Sequence, residues 1–344
     1  MSALDDLAEA VAAAPRVVPV AGGTKPALSD ATGLDVSGLR GILEYDPSEL
    51  TFTARAATPL REIAATLAEH GQYLPFDPPL VDAGATLGGT VAAGVAGPGA
   101  YRYGGVRDFV LGVQFVDGTG QLRRAGGRVV KNAAGFDLPK LLVGSMGRLG
   151  VLAELTLKVL PAPEATATLR FVPADTGQAL AAIARIGAGP IEADAVDLDP
   201  DGRLLVRLAG RAGPLAARPA RLAQLLGLPS EPVDDAVWDG ARELTWVPAT
   251  AALVRVGLTR NDVAGLDAAL DGAPRRLSIG ANVAWIAWPA DRPIGVLDSA
   301  LDALGLTGMV LRGADARLIG TPRGGAFAAR VRAALDPDHT FPEI

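Results

Sequence analysis

Val18-Pro19-Val20-Ala21-Gly22-Gly23-Thr24-Lys25 is the stretch on which the fold turns: a short apolar run passes without a break into a glycine turn. Arg16 to Val20 reads as a buried strand. Two adjacent glycines then let successive N–H groups point inward, an arrangement that suits a pyrophosphate or another anion. An ordinary strand-to-loop turn fits the same residues, because short glycine turns are common. The usual nucleotide fingerprints do not decide the matter. No G-x-x-x-x-G-K-[ST] loop is present, and at Gly97-Pro98-Gly99 the place of the third glycine of G-x-G-x-x-G is taken by Arg102, which argues against a classical NAD site.

Outward from this turn the chain alternates short elements. Residues 1–14 predict a helix with Leu4, Leu7, Ala8 and Val11 on one face. Leu39–Tyr45 and Leu50–Ala56 predict strands. Thr58 is expected to cap a helix that opens on Pro59, carries Leu60, Ile63, Ala64 and Leu67 as its apolar stripe, and stops at Gly71. Phe109–Val116 and Gln121–Arg124 predict a hairpin about Asp117-Gly118-Thr119-Gly120. Asp137 is placed to cap a short helix carrying Leu138, Leu141 and Leu142. Val151 to Leu160 alternates as a half-buried strand should. Pro161 and Pro163 end it and mark a domain boundary.

Between these elements lie two more glycine-rich segments. Ala83-Gly84-Ala85-Thr86-Leu87-Gly88-Gly89-Thr90-Val91-Ala92-Ala93-Gly94 is small almost throughout, so a flat ring or a phosphate can lie against its backbone. A tightly packed Ala/Gly helix is the plainer reading of the same residues. The other segment runs from Lys131-Asn132 through Gly135-Phe136-Asp137-Leu138 to Gly144-Ser145-Met146-Gly147-Arg148-Leu149-Gly150-Val151. No physical rule assigns it a task, and a lone Lys131 or Asp137 is usually a surface charge or a helix cap.

From about residue 165 the glycine loops thin out. Strands (Thr168–Val172, Leu204–Leu208, Ala252–Gly257, Val283–Trp288, Met309–Arg312) alternate with helices (Thr176–Ile186, Leu215–Leu226, Asp262–Leu270, Ile294–Leu304, Gly325–Leu335), which predicts an α+β domain with one antiparallel sheet.

Composition narrows the chemistry. With 344 residues, two domains are expected, here 1–163 and 164–344. A net charge of −6 gives no attraction for nucleic acid. The absence of cysteine excludes disulfides, thiolate nucleophiles and cysteine-held zinc or iron–sulfur centres. No metal-ligand cluster stands out. The acidic N-terminus lacks a signal-peptide pattern, and no apolar run reaches the about 20 residues of a membrane span. The expectation is a cytoplasmic protein, touching a membrane only through partners.

In their order the segments resemble the FAD-binding proteins of the vanillyl-alcohol-oxidase (PCMH) type. More narrowly, Tyr45-Asp46-Pro47-Ser48-Glu49-Leu50, Gly105-Val106-Arg107-Asp108-Phe109-Val110-Leu111-Gly112 and Asn132-x-x-Gly135-Phe136-Asp137-Leu138 resemble the family of FAD-binding E subunits of bacterial glycolate oxidases. The resemblance covers about residues 15–163. It implies an α+β fold, with a two-part PCMH-type FAD-binding domain followed by a smaller α+β cap domain. It implies that Ala21, Gly22, Gly23, Thr24 and Lys25 hold the FAD pyrophosphate and that Asp77, Pro78, Thr86, Gly88 and Gly89 line the flavin and phosphate path. Ala93, Gly94, Tyr103, Gly104 and Arg107 would flank it, and the backbone of Val151 would meet the adenine. FAD is expected to be non-covalent, because the two histidines, His70 and His339, lie away from the first loop.

The resemblance further implies oxidation of a small 2-hydroxy acid such as glycolate, with electrons passed to a sister FAD-containing subunit and an iron–sulfur subunit. Such chemistry needs a base near the substrate hydroxyl and a cation for its carboxylate. His339 is the spare histidine, and Arg312, Arg317 and Arg323 are among many arginines. The sequence selects none, so no catalytic residue is assigned. The tail Asp336-Pro337-Asp338-His339-Thr340-Phe341 also lacks the Asn-Pro-Gly-Arg ending of many relatives. A relay or assembly subunit and a stand-alone flavin oxidase of another alcohol therefore stay open beside the catalytic subunit.

Overall fold

Leu7 and Val11 lie one turn apart on the N-terminal helix Ala3–Ala13, and both are buried in a cluster with Val17, Val116, Val151 and Phe341. This computed structural model describes residues 3–25, 32–127, 137–321 and 324–342. The chain divides into two units, one of residues 1–96, 105–162 and 324–344, the other of 97–104 and 163–323.

In the first unit β1 (Val17–Val20) pairs in parallel with β2 (Thr32–Asp35). β3 (Ile42–Asp46), β4 (Thr51–Arg55), β6 (Val110–Val116), β7 (Leu122–Gly126) and β8 (Val151–Lys158) form an antiparallel sheet in the order β3-β4-β8-β6-β7. β5 (Gln72–Tyr73) pairs with β9 (Leu160–Pro161). Alternation sets the faces: Leu155 and Leu157 of β8 are buried, while Glu154, Thr156 and Lys158 between them are partly open. The loop from β3 to β4 turns on Asp46, whose carboxylate accepts from the N–H groups of Ser48 and Glu49, so the first part of the Tyr45–Leu50 signature is a turn device.

The second unit is built on one nine-stranded antiparallel sheet. Its strands are β10 (Ala165–Phe171), β11 (Ala195–Leu198), β12 (Leu204–Gly210), β13 (Ser230–Val233), β14 (Ala252–Gly257), β15 (Arg275–Ser278), β16 (Val283–Trp288), β17 (Thr307–Arg312) and β18 (Leu318–Gly320), in the order β13-β10-β12-β11-β15-β16-β14-β17-β18. β16 is buried at every position, as its unbroken apolar run requires.

Several expectations need correction. The sequence pattern misses β2, β11, β13, β15, β18 and the helix Val237–Glu243, all short. Thr58 does not cap the helix Leu60–Ala68; its hydroxyl accepts from the Gly41 N–H and donates to the Arg55 carbonyl, and Pro59 stands at the cap without a side-chain bond. The second unit is nearly as large as the first, and the expected split at 163/164 leaves out two crossings. Residues 97–104 go with the second unit, and the last stretch returns to the first.

That return has a physical reason. Asp336 is fully buried and accepts from the N–H groups of Thr340 at 2.7 Å and Phe341 at 3.0 Å, with Arg332 3.7 Å away. Thr340 donates its hydroxyl to the Gly118 carbonyl and accepts from the Val17 N–H, each at 2.8 Å. Phe341 completes the core beneath β1. The tail thus ties the hairpin turn of β6–β7 to the start of β1.

Candidate functional site

Glycines bring the three segments together within the first unit. A methyl on Gly22 would stand 2.2 Å from the Gly84 carbonyl oxygen and 3.1 Å from Thr86 Cγ2, so the first glycine turn lies directly on the start of the second segment. Thr86 opens the helix Leu87–Ala93, its hydroxyl accepting from the Gly89 N–H at 3.3 Å. Gly88 is claimed by packing: its N–H donates to the Ala56 carbonyl at 2.7 Å, and a methyl there would meet Ala56 Cβ at 2.7 Å. Gly94 ends the helix at φ 62°, with its Cβ position 3.0 Å from Gly144 Cα. The Gly144 and Met146 N–H groups donate to the Val91 and Ala92 carbonyls. Gly147 closes the circuit, because a methyl on it would touch Pro19 Cδ at 3.1 Å.

The segments around residues 19–25, 84–94 and 144–147 therefore form one glycine-lined cluster. Small residues permit that approach, and two polar atoms remain unsatisfied inside it. Thr90 Oγ1 and Ser145 Oγ are buried and have no hydrogen-bond partner among the described residues. Buried hydroxyls are nearly always paired, so two orphans on touching segments call for a polar ligand. Thr90 was visible in the sequence. Ser145 was not singled out, and its only signal is a small polar residue between Gly144 and Gly147.

The local charge is positive. Burial lowers the Lys25 ammonium to a pKa of about 8; among the described residues its Nζ bonds only the Thr24 hydroxyl, at 3.2 Å. Arg148, whose Nε donates to the Ser145 carbonyl, is held below its ordinary pKa first by burial and then by Arg332.

The remaining expected residues divide. Asp77 is buried at φ 48° and Leu80 at φ 63°, two left-handed non-glycine residues in one tight loop, each costing about 1 kcal/mol or more. Pro78 beside them is buried, as is Ala93. Ala21, Gly22, Gly23 and Thr24 remain at least partly open to a ligand. Arg107 is exposed on the single 3₁₀ turn Val106–Asp108. Tyr103 and Gly104 fall in the second unit, where Gly104 ends a four-residue helix at φ 85°. The Val151 side chain belongs to the core and its backbone pairs with Val116, while a methyl on Gly150 would strike Phe115 at 2.7 Å. Lys131, Asn132, Gly135 and Phe136 lie outside the described residues; Asp137 caps the helix Leu138–Leu142 as expected.

Both histidines are exposed. His70 meets the Tyr45 ring edge-on at 5.2 Å, and His339 sits in the tail turn at φ 56°. Among the described residues no group of His, Asp or Glu is placed to hold a metal, and no helix is long and apolar enough to cross a membrane.

Residues 2–126 match the family model described as FAD binding domain. The chain is 45% identical over 210 residues to glycolate oxidase subunit GlcE of Escherichia coli, covering 61% of this chain and 58% of that one. It is 35% identical over 128 residues to glycolate oxidase subunit GlcD of Bacillus subtilis, over 37% of this chain and 27% of that one. D-lactate dehydrogenase of Anaerostipes hadrus is 35% identical over 136 residues, 40% of this chain and 28% of that one. The matched parts thus span 58%, 27% and 28% of these relatives, less than two thirds of each. Among solved structures, alkyldihydroxyacetonephosphate synthase superposes with a TM-score of 0.71 over 98% of this chain and 73% of that one, at 15% identity, a likeness of fold. The PCMH-type architecture is the one observed, and residues 2–126 are similar to the FAD binding domain family.

Proposed function

We propose that this chain is the FAD-binding subunit of a glycolate oxidase-type complex. It would oxidise a 2-hydroxy acid to the 2-oxo acid and pass the electrons to a sister FAD-containing subunit and an iron–sulfur subunit. The observation that carries the reading is the glycine-lined cluster of the first unit, where Thr90 and Ser145 leave two buried hydroxyls unpaired. The likeness to glycolate oxidase subunits supports it. FAD fits the residues present: Gly22 and Gly23 offer backbone N–H groups, Lys25 offers a cation for the pyrophosphate, and Thr90 and Ser145 offer hydroxyls.

When bound, FAD would supply the hydride acceptor. The chain's own part is to hold and exclude. Gly22 and Gly147 keep the strand β1 turn closed on the other two segments, Gly88 fixes the helix Leu87–Ala93 against β4, and the buried Asp77 loop keeps a strained backbone in place. With no cysteine, the chain must deliver electrons to another acceptor.

A second reading, that the chain binds FAD for relay or assembly, is favoured by the exposed positions of both histidines, which leave neither enclosed in a reaction site. Anaerobic addition of glycolate to the purified yellow chain separates the two. Bleaching supports oxidation by this chain; an unchanged flavin spectrum supports the relay reading.

A further inference from the structure

Three consecutive residues of the second unit take the left-handed conformation: Ile279 at φ 57°, Gly280 at φ 61° and Ala281 at φ 64°. They form the turn from β15 to β16. A β-branched residue rarely adopts that conformation, and such a run persists only where the surroundings hold it. Two sets of contacts do so. The first is polar. The buried Asp197 accepts from the Ile279 N–H at 3.1 Å and from the Ser278 hydroxyl at 2.8 Å, and the Val196 carbonyl accepts from the Gly280 N–H at 2.9 Å. The second is a ring. A methyl on Gly280 would stand 2.6 Å from Tyr101 Cε2 and 2.8 Å from Tyr101 Cδ2, so Tyr101 lies directly on the backbone of the turn. Its hydroxyl reaches the helix Thr176–Ala188, 3.7 Å from where a methyl on Gly187 would be. Burial raises the Tyr101 phenol above its usual pKa, with Arg260 pulling the other way.

Tyr101 comes to this turn from a distant part of the chain. It belongs to the four-residue helix Ala100–Tyr103 within residues 97–104, and both flanks of that segment lie in the first unit. Just before it, Gly94 ends the helix Leu87–Ala93 that carries Thr90. Just after Tyr101 come Tyr103 and Gly104, which the resemblance puts beside the cofactor. Arg102 adds an ion pair to the exposed Glu192 at 2.7 Å, a contact worth little in water.

We propose that Tyr101 is a positioning residue for the FAD site: seated on the strained turn 279–281, it fixes residues 97–104 and so sets the conformation in which Tyr103 and Gly104 meet the cofactor. The proposal deepens the FAD reading and rests on it for its ligand. Coupling between two sites is reciprocal. FAD that orders residues 97–104 therefore also tightens the turn, and loosening the turn weakens FAD. Tyr101 acts through the segment and is not itself a contact of the cofactor.

The test is hydrogen exchange of the purified full chain with and without FAD, read by mass spectrometry over residues 276–283. The Ile279 and Gly280 N–H groups there report opening of the turn. Saturating FAD should slow that exchange at least about fivefold, and Tyr101→Ala should abolish the effect. In FAD titrations followed by flavin fluorescence, Tyr101→Ala should weaken binding at least about fivefold, while Tyr101→Phe, which keeps the ring, should stay within about twofold of the unmodified chain. Leu297→Ala, buried elsewhere in the second unit, should lower the urea midpoint and leave FAD affinity unchanged. Exchange over 276–283 that ignores bound FAD overturns the proposal; this arm needs no variant and so survives a misfolded Tyr101→Ala. An equal loss of affinity in Leu297→Ala also overturns it, because the effect would then be general destabilisation. The FAD-free chain separates the two claims. Faster exchange over 276–283 in FAD-free Tyr101→Ala supports the seat of the ring on the turn, whether or not FAD binds. A chain that takes up no FAD sinks the flavin reading and the positioning role with it.

Discussion

At the scale of single residues, the site rests on glycines whose neighbours leave no room. Gly22→Ala forces the first turn off the Gly84 carbonyl. It should cost about 1–3 kcal/mol in urea unfolding and weaken FAD more than it weakens the fold, as flavin fluorescence would show. Lys25 makes a pH prediction of two signs. Its folded pKa lies near 8, below the ordinary lysine value of 10.5, so between those values the unfolded chain binds more protons. This residue's contribution to the stability of the FAD-free chain therefore rises with pH across that window. FAD affinity should fall over the same window as the ammonium loses its charge. Lys25→Met should flatten the pH dependence of FAD affinity; an unchanged profile would remove Lys25 from the pyrophosphate site. The sequence made Gly22 and Lys25 legible as a candidate anion turn. It did not reveal that Gly88 serves packing against Ala56, because a glycine needed for a helix–strand approach looks the same as one needed for a ligand.

At the scale of elements, short strands were the least legible. β11 and β15 are four residues long, and what fixes them is a cross-strand ion pair, Asp197 with Arg276, that no local pattern announces. Long alternating or unbroken apolar runs such as β8 and β16 were legible because their burial is written residue by residue. The tail element shows the limit from the other side. The sequence marked the tail from Asp336 to Phe341 only by its missing Asn-Pro-Gly-Arg ending, whereas the observed bonds of Asp336, Thr340 and Phe341 are structural. Asp336→Ala strips the acceptor from two buried N–H groups and should cost about 2–4 kcal/mol, measured by urea unfolding. Asp338→Ala in the same turn is exposed and should cost under about 0.5 kcal/mol.

At the scale of the whole molecule, the chain crosses between its two units more often than a linear reading allows. The boundary at Pro161–Pro163 was legible, because prolines end β9 there. The return of residues 324–344 was not, since it depends on contacts more than 200 positions away in sequence, such as Thr340 with Gly118. A fragment of residues 1–163 therefore lacks Phe341 from its core and the Thr340 bond to Val17. It should show a broad, early melt by circular dichroism and fail to retain FAD. A cooperative fold in that fragment would contradict the assignment of the tail to the first unit.

The most direct test of the account is the flavin content of the purified full chain. Acid precipitation of the protein should release FAD into the supernatant, leave none bound to the pellet, and give close to one FAD per chain after reconstitution. A colourless protein that shows no saturable binding of added FAD would contradict the central claim, leaving the glycine-lined cluster as packing alone.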